Sequence, residues 1–123
     1  MLISNENEKV IGDSLDKLNE FLDSPAYMEM INNLDTPSET RKLLTACWNQ
    51  RNKLVRALLK IYASEIKENN TKFQKLISQM KEVRKEAEQA ADGLKKVADR
   101  IESAVELAKA TDAALMIAAG LAV

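Results

Sequence analysis

Glu82 and Glu86, like Glu102 and Glu106, set two carboxylates one helical turn apart, the spacing that acid–base work or cation binding requires. Each pair sits among bases such as Lys81, Arg84 and Lys85, so a solvated helix face accounts for them. Cys47 is the one thiol, and its neighbours Leu43, Leu44 and Trp48 put it on the apolar side of a helix, as a small buried residue. The sequence has no histidine, which removes the commonest general base, the commonest metal ligand and every histidine-dependent triad. Gly12, Gly93 and Gly120 are too scattered to make a phosphate-binding loop. These residues predict a protein without catalysis, with no cofactor, no bound metal and no small-molecule substrate.

Two stretches offer binding instead. Arg41 to Lys60 holds six bases (Arg41, Lys42, Arg51, Lys53, Arg56 and Lys60), one tryptophan (Trp48) and no acid. A helix of this kind presents an anionic-partner face, to nucleic acid phosphates or to an anionic membrane with Trp48 at the interface. The acidic first quarter of the same chain supplies a simpler partner, and intramolecular pairing with it is the expectation. The net charge of −1 argues against nucleic acid as the principal partner.

The second stretch, AALMIAAGLAV at residues 113–123, carries no polar or charged side chain. As a helix it is about 16 Å long, half the thickness of a bilayer core, so it cannot span alone. Apolar residues all round a helix predict burial all round, against protein. Membrane insertion as part of a helical assembly is the alternative.

The elements that carry these stretches are helical. Aromatics make up 4% of the 123 residues, with 3 glycines and 2 prolines, a composition poor in strand formers and turns. Residues 1–35 read as an acidic pair of short helices: Ile11, Leu15, Leu18 and Leu22 form one stripe, and Ser24-Pro25 starts the next. Thr36, Pro37 and Glu39 predict a capped helix start and a basic amphipathic helix over 36–69. Asn69-Asn70, with Thr71 and Gln74 as a second capping box, predicts a turn there, against the alternative of one unbroken helix. An alanine-rich helix then runs over 71–119.

A heptad register with a at Asn52 and d at Trp48 places apolar residues at 18 of 21 core positions from 48 to 118. About 10 would arise by chance at this composition. The expected fold is therefore an all-α helical bundle, one domain, in which a long coiled-coil-like hairpin follows a short acidic segment. The expected interface with a second copy or a helical partner is Leu94, Val97, Ile101, Ala104, Val105, Ala108, Leu115, Met116, Ile117 and Leu121. One cysteine and no basic-then-apolar leader point to the cytoplasm. The expected function is protein–protein interaction, as an adaptor, chaperone-like protein or inhibitor. A membrane-active helical protein using 113–123 and a nucleic-acid-binding regulator using 41–60 are the alternatives.

Overall fold

A computed structural model describes residues 3–96 and 99–122. Five helices, α1 (Asn5–Leu22), α2 (Pro25–Asn32), α3 (Ser38–Ala63), α4 (Thr71–Gly93) and α5 (Arg100–Leu121), account for most of them. No strand occurs among the described residues.

Local chemistry sets most of the helix starts. The Ser4 hydroxyl accepts from the Asn7 N–H at 3.3 Å, and Ser24 does the same for Tyr27 at 3.1 Å, with Pro25 at the first position of α2. Asn70 Oδ1 accepts from Lys72 and Phe73 N–H to open α4, a task expected of Thr71. The start of α3 differs from expectation. Pro37 is its N-cap and no side chain caps it; the Thr36 N–H, the expected target of Glu39, is bonded to the Asn33 carbonyl instead.

Four helices form the bundle and α2 caps one side of it. Ser4 bonds to Glu68 and Ser14 to Met80, so α1 and α4 run parallel. Helix α5 returns antiparallel along α4 and packs against α3 as well. The expected turn between α3 and α4 exists over residues 64–70. The two helices it joins nevertheless scarcely touch, because α5 occupies the place between them. The long hairpin is thus opened into a diagonal pair.

The single helix expected over 71–119 is two helices. After Gly93 the chain tightens into three-residue turns, with Lys95 N–H on Asp92 O and Lys96 N–H on Gly93 O. Arg100 Nε reaches back 2.9 Å to the Leu94 carbonyl and satisfies an acceptor left over at the end of α4. Helices α4 and α5 approach closely at Gly93, where a Cβ would run into the Ser103 hydroxyl and lie 3.1 Å from Ser103 Cβ.

In α4 Phe73, Leu76, Met80, Val83, Ala87 and Ala90 are buried at expected positions, and Ile77 is buried beside them. In α3 the buried row is Leu44, Cys47, Leu54, Leu58 and Ile61, one residue upstream of the expected positions in most turns. Leu59, an expected core position, is 63% exposed, and Trp48, Val55 and Tyr62 are half-buried. In α5 the row is Ala104, Leu107, Ala108, Thr111, Ala114, Ala118 and Leu121. Its alanines let α5 sit close to both neighbours. Each of the largest core side chains, such as Phe73, Leu76 and Leu107, contributes about 1.5–3 kcal/mol at full burial.

Candidate interaction surfaces

The expected interface residues separate into a buried and an outward set. Leu94, Ala104, Ala108 and Leu121 are buried in the core of their own chain. This corrects their placement at a partner-facing surface: these four side chains are taken up within the chain itself. Val105, Leu115 and Ile117 are half-buried, while Ile101 and Met116 face solvent at 47% and 70% exposure. Val97 lies outside the described residues. Met116 stands in a charge-free stretch, with Ala119 and Gly120 exposed one turn on, so the outer surface of the last turns of α5 is apolar. No helix among the described residues is long and apolar enough to cross a membrane.

The basic residues share one helix but do two jobs. Lys42, Lys53, Arg56 and Lys60 are exposed on the side of α3 turned away from the core, and Arg41 is half-buried. Arg51 turns inward: its guanidinium lies 4.5 Å from the Trp48 ring centroid and Nη1 donates to Asn19 Oδ1 on α1. That contact bridges α1 and α3. The expected charge pairing with the acidic helix does not form. Among the described residues the inter-helix ion pair of α1 is Asp13 with Arg84 of α4, at 3.8 Å, and no base of 41–60 is in an ion pair. Of the α1 acids, Asp13 turns to α4, while Glu8, Asp16 and Glu20 are exposed.

The groups that could react are withdrawn. Cys47 is buried, and desolvation pushes its thiol up to about 12, which leaves no thiolate at neutral pH. Tyr27 is wholly buried beside it, donates its hydroxyl to the Leu44 carbonyl and meets Phe21 edge-on at 5.3 Å. Burial, chiefly, raises its phenol well above the ordinary value. Glu102 and Glu106 line a cleft of about 400 Å³ at the α4–α5 turn with Glu86, Asp92, Asp99 and Lys96. No group of three or more ligating side chains among the described residues is arranged to hold a metal ion.

Two positions gained a surface that the heptad count had assigned to the core. Val55 and Leu59 are one turn apart on α3, and neither belongs to the buried cluster. The signal was present in the adjacent apolar pairs Cys47-Trp48, Leu54-Val55 and Leu58-Leu59. In each of these pairs the first residue is buried and the second is the more exposed. Comparison with protein-family models, curated proteins and solved structures finds no match to this chain.

Proposed function

We propose that the protein is a non-catalytic helical interaction module, an adaptor, chaperone-like protein or inhibitor, that assembles with itself or with a helical partner. Met116 carries the reading: it is a large apolar side chain, 70% exposed, on a helix face that has no charge from Ala113 to Ala122. Ile101, exposed on the same helix, and Val55 and Leu59 on α3 are seam positions that the bundle leaves to a partner. Packing against them in coiled-coil fashion requires a helix with its own apolar stripe. The cytoplasm is the compartment that suits one unpaired, buried Cys47.

A photo-cross-linking amino acid at position 116, used in the native host, tests this reading. The expected outcome is a discrete protein adduct that is lost when Ile101 and Ile117 are changed to glutamate. Adducts confined to lipid would replace the reading with a membrane-surface one.

A further inference from the structure

The inference rests on the interaction reading and names the partner chemistry of one face. Helices α3 and α5 pack closely. They run parallel, since Leu121 at the end of α5 shares a cleft with Ile66 and Asn69 just beyond the end of α3. With about 100° between successive residues, Lys42, Lys53, Arg56 and Lys60 fall within roughly 60° of one another, as one exposed line along α3. That line is on the edge of α3 away from Arg51 and Tyr62, which face α1. Ile101, Val105, Asp112 and Met116 make a line of similar width along α5. It is on the edge away from Ser103 and Ile117, which meet α4. The two lines therefore turn outward on either side of the α3–α5 seam, on the same side of the bundle. Together they make one face with a basic half and an apolar half.

The four bases of the α3 half have no ion-pair partner among the described residues, and their segment holds no acid from Thr40 to Ser64. The α5 half exposes Ile101 and Met116, with Val105 half-buried between them. Asp112 stands in that half, and Lys109 beside it is paired with Glu106 at 3.9 Å. Glu102 and Glu106 border its far edge, toward the α4–α5 cleft. We propose that this face receives an amphipathic helix of a partner protein, its apolar stripe on the α5 half and its acids along the flank that lies over α3. The basic line is about 27 Å long at 1.5 Å per residue, so it matches acids spread over roughly five turns of the partner. The flank charges set which way round that helix lies, while the apolar contact supplies the buried area. An anionic bilayer that met the lysines would also meet Asp112, Glu102 and Glu106. A phosphate backbone would set its charges against Asp112 and leave Ile101 and Met116 without apolar contact. Both penalties favour a partner whose acids are confined to one flank.

Fluorescence anisotropy with the full chain and a labelled, stapled peptide tests the proposal. The peptide is an amphipathic helix of about 18 residues, the length of the basic line, with leucines along one face and glutamates along one flank. Its counterpart carries lysines in place of the glutamates. The unaltered protein should bind the glutamate peptide about tenfold more tightly than the lysine peptide, and less tightly in added salt. Lys53→Glu with Lys60→Glu should invert that preference, and Met116→Ser should weaken the glutamate peptide by about fivefold. Lys81→Glu with Lys85→Glu makes the same change of net charge on exposed positions of α4 and should leave the affinity within about twofold. Circular dichroism checks that each variant melts as the unaltered protein does. No binding of the glutamate peptide, no preference between the peptides, indifference to the α3 reversal or an equal loss from the α4 variant would each overturn the proposal. Binding of phosphatidylserine vesicles or of a DNA duplex by a protein that ignores the peptide would overturn it too and assign the basic line to lipid or to nucleic acid. If position 116 still gives a discrete protein adduct, the interaction reading stands with a partner of different chemistry. If neither is seen, both fall.

Discussion

The Ser14 hydroxyl lies 2.6 Å from the Met80 carbonyl and 2.6 Å from the Val10 carbonyl, wholly buried where α1 crosses α4. Its one hydrogen is shared between the two acceptors, so a small polar residue clips the N-terminal helix to the middle of the bundle. Ser14→Ala should cost about 0.5–1.5 kcal/mol, toward the lower end because both carbonyls keep their helical partners. Ser14→Leu must push the helices apart and should cost about 1–3 kcal/mol or more. Urea unfolding of the two variants gives the comparison, and a leucine tolerated better than alanine would contradict the close crossing.

Gly93 and Ser103 form the second tight approach. Gly93→Ala gains helix propensity of roughly 0.5–1 kcal/mol but sets a methyl group against the serine. With the new carbon running into the Ser103 hydroxyl and 3.1 Å from Ser103 Cβ, the clash should win and the variant should be less stable. Adding Ser103→Ala removes the nearer atom and should recover part of the loss. The coupling between the two sites should be about 0.5–3 kcal/mol in a double-mutant cycle. Additive effects would show that α4 and α5 do not meet there.

Alkali should unfold the protein through Cys47, Tyr27 and Tyr62. Burial raises the thiol from 9.0 to about 12 and raises both phenols above the ordinary value of 10.0. In the unfolded chain these groups ionise at their ordinary values, while in the fold they hold their protons. Their contribution is therefore complete below about pH 9 and is lost as pH rises through the folded values. Melting temperature measured against pH should fall from pH 9 upward, and Cys47→Ala with Tyr27→Phe should flatten that fall. At neutral pH a thiol reagent should label Cys47 only after denaturant is added.

Reversing Lys53 and Arg56 should leave the stability of the monomer within about 0.5 kcal/mol, because neither is in an intrachain ion pair. Thermal unfolding at low protein concentration and low salt isolates the monomer. A large loss there would mean that the acidic helix neutralises these bases after all.

Tyr27→Phe should lower stability by about 0.5–1.5 kcal/mol, since its hydroxyl satisfies the Leu44 carbonyl and holds α2 against α3. Proteolysis under native conditions reads the consequence locally. Cleavage within residues 24–37 should quicken in the variant while sites in α4 stay protected.

What the sequence determined by itself was local or compositional. Scarce aromatics, two prolines and three glycines allowed helices and little else. Ser24-Pro25 and Asn70 started helices because capping depends on residues within one turn. Much of the buried face of α4 was legible because that helix is amphipathic: Phe73, Leu76, Met80, Val83, Ala87 and Ala90 are buried, and so is Ile77, which lies off the heptad positions. The absence of histidine was as plain in the sequence as in the fold.

Tertiary structure alone decided which of several apolar rows met the core. A heptad register carried through residues 64–70 assumes that the chain keeps its phase across a loop, and a loop lets each helix rotate about its own axis. Helix α3 used that freedom, burying Leu54 and Leu58 and turning Val55 and Leu59 outward. The break after Gly93 was hidden because one glycine in a helical pattern costs little locally, and only the arrival of Ser103 from α5 gives it a purpose. The fate of the opposed charges was equally beyond the sequence. Charge totals say that acids and bases attract but not which helices become neighbours. Placing α1 against α4 gave Asp13 to Arg84 and left the bases of α3 on an open surface, since packing of the apolar faces outweighs exposed ion pairs in choosing those neighbours.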